Sequence, residues 1–480
     1  MSRFKRSLHT PPIAPFLGCK PAVTGIANVH ALPEVVASTL TPQESTGRSG
    51  FLETLGYVLY CTYIISGFIN EWTIRLLGGK AYISTVLVVL VPAVLLVSNN
   101  RFRGLKHAAG RWWTVFLLLL LLDMPFSAWK GGTTTLLLNY VPRSYAIFFF
   151  VTAFAVTLNR VKGLMVVGIA TSTIVLFNCY KFGVLTEDGR LRLQDSLFFA
   201  NSNDLGLQLL MGVTQFGFLF HEKGLFKKVF AAGCIVLSVM YMLRTGSRGC
   251  LLAMVCYGVL RFFFSRNKLL FLALTAVIGL VGVGTLPSMT LRRLTLLGLD
   301  DHNIETSAEA SAVGSQAQRR ELLRRSIVET LKHPVFGVGP GQFGVYVTGE
   351  KLKKGEEASW VGTHNSYTEV SAECGIPALV CYCAVIVICF RLNYGMFRAT
   401  RDNPVHREVA GLSLALLSGT LVYSIGTFFF HMAYSAVLPG LSAMTVALYF
   451  VTKPVIEASA KAKPAAEPPA RGIAAFRLRL

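Results

Sequence analysis

The chain has 480 residues, 53% of them hydrophobic and 15% charged, with 46 Lys+Arg against 25 Asp+Glu. An ordinary soluble domain carries roughly 25% charged residues, whereas this apolar stock supplies about a dozen helices of roughly 20 residues each. A soluble enzyme, a disordered chain and a disulfide scaffold are excluded. The excess of 21 positive charges fits the Lys/Arg-rich loops of a multi-pass membrane protein better than nucleic-acid binding.

In chain order, residues 1–50 hold Arg3, Lys5 and Arg6, then Pro11, Pro12, Pro15, Pro21 and Pro33, with no apolar run of signal-peptide length. They are expected to form a flexible cytoplasmic tail. From 51 to 452 the hydropathy pattern predicts a membrane domain of twelve spans. These lie near 51–68, 81–98, 112–124, 143–158, 163–180, 204–220, 229–243, 250–264, 269–286, 368–390, 408–428 and 433–451. The connection 287–367 is the only long one. It contains an amphipathic stretch around 316–332, where charges alternate with Leu322, Leu323, Ile327 and Leu331. Residues 453–480, rich in Ala, Pro and Lys, are expected to form a second cytoplasmic tail. The expected fold is an all-α integral membrane protein with about 12 transmembrane helices and one large loop containing short helices.

Loop charge sets the orientation. With the N-terminus inside, the short cytoplasmic connections hold sixteen basic residues against nine in the short outer ones, as the positive-inside rule requires. Both termini then face the cytoplasm and 287–367 faces outward. Nine of the ten cysteines lie inside apolar runs and no Cys-x-x-Cys pair occurs, so neither a zinc site nor a disulfide framework is indicated.

Three outward segments concentrate polar chemistry. Arg192 precedes Asn201-Ser202-Asn203-Asp204 at the start of a span. Arg244-Thr245-Gly246-Ser247-Arg248-Gly249 links two spans tightly. The long loop runs from Arg319-Arg320 through Gly337-Val338-Gly339-Pro340-Gly341 to Thr363-His364-Asn365-Ser366-Tyr367. Arginine forks match phosphate oxygens and stay charged at any relevant pH, and ionisable residues at membrane depth usually serve function. Each has a structural alternative. Arg248 is placed to snorkel from a helix end, Arg319 to sit on a solvated helix face, and His364 to belong to an N-cap region.

Other patterns fail. Asp301-x-Asn303-x-Glu305 has Thr306 and Ala312 where a calcium loop needs Gly and Glu. Gly337-x-Gly339 lacks the setting of a nucleotide fold and reads as a turn. No carboxylate cluster suggests a divalent metal, and no cofactor is expected.

With these motifs in view, the chain resembles the O-antigen ligase and O-antigen polymerase superfamily of bacterial envelope enzymes, over about 180–450. The carriers are Gly246-Ser247-Arg248-Gly249 opening a span, Arg319 ahead of His333-Pro334 and the glycine turn, and His364-Asn365-Ser366-Tyr367 leading into Ala372-Glu373-Cys374-Gly375-Ile376. Arg192 with Asn201-Ser202-Asn203 is a weaker element, since Ser202 replaces a proline. The resemblance implies an inner-membrane glycosyltransferase, metal-independent and inverting. It would move a glycan from undecaprenyl diphosphate to lipid A–core or to another lipid-linked glycan in surface polysaccharide biosynthesis. Arg192, Arg248 and Arg319 would bind the donor diphosphate and His364 would be the base at the periplasmic face. Asn203, Asn365 and Tyr367 would support them. A transporter or flippase of an anionic lipid-linked saccharide explains the spans and arginines but not the loop ending at His364. A membrane acyltransferase explains His364 but not several arginines.

Overall fold

The computed structural model describes residues 47–77, 83–194, 199, 201–265, 267–284, 286, 288, 290, 291, 307–356 and 361–462, all within the unit Pro42–Leu480. Most of both expected tails, at 1–46 and 463–480, lies outside these residues, as does 292–306 of the long connection.

The helices are α1 (Gly47–Leu77), α2 (Ile83–Val97), α3 (Ala108–Asp123), α4 (Lys130–Tyr140), α5 (Ile147–Phe154) and α6 (Leu158–Phe182). After them comes a short antiparallel hairpin of β1 (Gly183–Leu185) and β2 (Leu191–Leu193). The chain continues through α7 (Ser202–Phe216), α8 (Leu225–Arg244), α9 (Arg248–Phe264), α10 (Lys268–Gly284), α11 (Ser307–Lys332) and α12 (Phe343–Lys353). It ends with α13 (Ser366–Thr400), α14 (Arg407–Gly426) and α15 (Val437–Ala462).

The all-α expectation holds apart from the hairpin. Among the described residues seven helices are long and apolar enough to cross a membrane, beside two shorter apolar ones, Ile83–Val97 and Lys268–Gly284. Two expected spans are short for physical reasons. Helix α7 has 15 residues and buries nearly all its side chains, so it is a core helix rather than a lipid-facing span. Helix α9 stops after 17 residues, with Arg261 in its last turn. Conversely, the segment Lys130–Phe154 forms one long apolar rod. Its first half, KGGTTTLLLNY, lacks the hydropathy to announce a helix, and a π-turn at Val141–Tyr145 joins it to α5.

Helix α14 is buried along most of its length and forms the middle of the bundle with α13. Polar side chains bond across this core, as helices in a bilayer require. Tyr382 and Tyr423 share a hydroxyl contact at 2.7 Å, Trp113 Nε1 donates to Ser442 Oγ at 3.0 Å, and Asn393 donates to Thr445 at 2.9 Å.

The bundle has two distinct ends. One carries the hairpin, the 245–248 turn and the segments 334–343, 363–366 and 427–434. There Ala128 N–H donates to Val338 O at 2.9 Å and Ser366 N–H to Thr427 O at 2.8 Å. The other carries 98–107, the start of α6, residues 217–222 and the start of α14, where Lys162 contacts both Glu222 and Glu408 at 2.8 Å.

Candidate active site

The site is built around a break in α13. Within this 35-residue helix Gly375 has φ 78° and ψ 173°. A Cβ there would lie 2.2 Å from Val335 O, so only glycine permits the approach. Two residues on, Pro377 has no N–H, which leaves the Glu373 carbonyl without its helical donor. Gly339 N–H supplies one at 2.9 Å. Ile376 N–H turns instead to Pro334 O at 2.8 Å, and Val338 N–H takes Ala372 O at 2.9 Å. The glycine turn therefore completes a broken helix, which is why both sequences are needed. Positive φ at Gly337, Gly339 and Gly341 gives the turn its shape.

Side chains of α13 tighten the same joint. The buried Glu373 carboxylate accepts from Gly341 N–H at 2.7 Å, Phe343 N–H at 3.1 Å and the Tyr434 hydroxyl at 2.7 Å. One turn earlier, buried Glu369 accepts from Ala433 N–H at 3.2 Å. Ser366 Oγ donates to Phe430 O and accepts from Met432 N–H, each at 2.8 Å. These bonds lace residues 430–434 against the first turns of α13.

His364 sits just before this helix with φ 52°, a left-handed conformation uncommon outside glycine and found preferentially at functional sites. Asn365 is the N-cap: its Oδ1 accepts from Tyr367 N–H at 2.9 Å and Thr368 N–H at 3.2 Å. With its neighbour committed to the helix, the His364 ring projects independently. It meets the His431 ring edge-to-face, with centroids 5.2 Å apart. Burial lowers the His364 pKa most, the charges of His431 and Arg319 lower it further, and together they bring it down to about 4. The imidazole is thus held neutral. Tyr367 braces α13 against α14, its hydroxyl donating to Ser424 O at 2.9 Å and its ring lying 4.4 Å from that of Phe428.

The arginines come from other elements. Arg319 lies on α11, near enough for its charge to act on His364. Arg248 opens α9 and donates from Nη1 to Gln316 Oε1 at 3.4 Å. Gln316 and Arg319 are three residues apart on one helix face, so Arg248 and Arg319 approach the same side of α11. Arg192 lies exposed on β2, between buried Leu191 and Leu193. The arginine tied to Asn203 is Arg190. Its Nη2 donates to Asn203 Oδ1 at 2.7 Å and its Nε to Thr245 O at 2.9 Å.

Asn201 caps α7, accepting from Asn203 N–H at 2.8 Å and Asp204 N–H at 3.0 Å. Arg190, Asp204 and Arg319 all act electrostatically on the buried Cys250 thiol, and His431 acts on Asp204. The first turn of α9 is therefore where these charges meet.

Sequence reasoning passed over Arg190, His431 and the two buried glutamates. A signal existed for Glu373, which falls in the Ala372–Ile376 motif. None existed for Arg190 over Arg192, two residues away in a segment of unknown pairing.

Residues 233–383 match the family model described as O-Antigen ligase. The match spans Arg248, Arg319, the glycine turn, His364 and the α13 break, whereas Arg190, Arg192, Asn203 and His431 lie outside it. No curated protein matches the chain.

Proposed function

Starting from a membrane protein whose residues 233–383 place it in the O-antigen ligase/polymerase superfamily, we propose that it transfers a glycan from undecaprenyl diphosphate to an acceptor hydroxyl at the periplasmic face of the inner membrane. The observation that carries this reading is the meeting of Arg319, Arg248 and a neutral His364, drawn from α11, α9 and the start of α13.

Arg248 and Arg319, with Arg190 beside them, bind the donor diphosphate. Guanidinium forks suit its oxygens and neutralise the charge that grows as it departs. The exposed Arg192 takes the outer rim of the same positive surface. His364 accepts the proton of the acceptor hydroxyl. A weak base suffices here, because that hydroxyl acidifies as its oxygen bonds to the electron-poor anomeric carbon. The new C–O bond forms as the bond to the diphosphate breaks, and the electron pair leaves with the phosphate. This single displacement inverts the anomeric centre and needs no metal ion. Asn203 steadies Arg190, while Asn365 and Tyr367 hold the helix start from which His364 projects.

Of the two acceptors, lipid A–core is favoured because the family model is described as that of a ligase. A deletion strain provides the test. Polymerised lipid-linked chains should accumulate while mature surface polysaccharide disappears. Accumulation of single repeat units would instead assign polymerisation, and an unchanged glycan profile would reject both.

A further inference from the structure

At the end of α3 away from His364 lies a crevice of about 510 Å³, lined by Leu95 and Leu96 of α2, Leu105 of the following loop, and Thr114, Tyr145 and Phe149. Arg101 and Phe102 also border it. That volume lies within the roughly 300–1,000 Å³ of ordinary ligand sites. The 16 residues of α3 rise about 1.5 Å each, so the crevice and the candidate active site face opposite membrane surfaces.

Its lining is almost wholly apolar but its mouth is basic. Arg101 is exposed, anchored through Nη1 to Leu96 O at 3.4 Å and Ser98 O at 3.3 Å, with its guanidinium 5.0 Å from the Phe102 ring. These contacts fix the fork at the rim. Lys106 and Arg111 are exposed on the same loop and helix start. Arg103 turns away, donating to Thr152 O at 3.1 Å. The neighbouring carboxylate, Glu53, is buried and engaged by Asn100 and Arg160.

We infer that this crevice binds an anionic phospholipid of the adjoining leaflet, one acyl chain lying between α2, α3 and α5 and the phosphate resting on Arg101. Charge complementarity selects this occupant. Basic pockets between membrane helices favour anionic head groups, and Arg101, Lys106 and Arg111 oppose none of that charge. The apolar lining takes the chain as it would take lipid. This site is independent of the transfer reaction proposed above.

Native mass spectrometry of the purified full chain, offered equal dioleoylphosphatidylglycerol and dioleoylphosphatidylcholine, tests it. The wild type should retain the anionic lipid preferentially. Arg101→Gln should reduce that preference about fivefold, the effect of one basic residue at a membrane surface. Leu105→Trp, which fills the crevice, should reduce retention of both lipids. Arg101 is exposed, so its substitution leaves the packing intact and its result stands even if Leu105→Trp fails to fold. Equal retention of the two lipids by the wild type, or an Arg101→Gln variant with unchanged preference, would overturn the inference.

Discussion

The surroundings of Lys162 and of His364 use charge differently. At the end bearing 158–162 and 404–408, opposite charges pair directly. Lys162 joins Glu222 and Glu408 at 2.8 Å, and Lys227 joins Glu222 at 2.9 Å. These pairs staple α6, the 217–222 turn and α14 together. At the His364 end the buried carboxylates bind the backbone. Glu369 and Glu373 accept from backbone N–H groups and a phenol, while Arg190 and Arg248 lean on amide and carbonyl oxygens. Further along α11, Arg324 and Arg325 do pair with Glu321 and Glu329. The contrast teaches that around Lys162 ion pairs join separate elements, whereas around His364 buried carboxylates fix backbone turns and Arg190 and Arg248 reach amide and carbonyl oxygens.

The largest expected break in this contrast comes from Arg248→Lys. An ammonium keeps the charge but loses the fork, and a charge-assisted contact contributes about 1.5–3 kcal/mol. Transfer measured in proteoliposomes should therefore fall about 10- to 100-fold, with the protein still folded. Wild-type rates would show that guanidinium geometry is irrelevant there.

A smaller effect is expected for Glu373→Gln. The amide –NH₂ would face backbone N–H or hydroxyl donors, leaving a buried group unsatisfied at a cost of about 1–3 kcal/mol. Thermal unfolding in detergent should shift downward, and unfolding at the wild-type temperature would mean that the glutamate does not pin the 334–343 turn. Least of all should follow Lys162→Met. Partly exposed ion pairs contribute about 0–1 kcal/mol each, so stability should drop slightly and transfer should not change. A tenfold loss of transfer would erase the distinction between the two ends.

How far these features were legible in the sequence varies with how local their causes are. The helix start at Asn365 and the turn at Gly337–Gly341 are local, set by a capping side chain and by glycines at positive φ, and both can be read directly. The count of spans depends on burial. Helix α7 is apolar because it lies in the core, and hydropathy does not separate that from facing lipid. Arg190 and Arg192 differ only through the hairpin register, in which Val184 pairs with Arg192. His431 stands 67 residues beyond His364 and reaches it because α13 and α14 run out and back. Such pairings belong to the packed bundle, not to any stretch of chain.

The most direct test of the central claim, that His364 is a neutral base beside the arginines, is turnover of reconstituted wild type and His364→Ala across pH with a defined lipid-diphosphate donor. The His364 pKa lies at about 4, below the usual value near 6.5. The active, unprotonated form therefore persists as pH falls through 6.5 and is lost only on approaching 4. Wild-type turnover should stay level from pH 8 to about 5 and then decline, and His364→Ala should bind donor normally yet lose about 10²- to 10⁴-fold in rate. Near-wild-type turnover by His364→Ala would contradict the account.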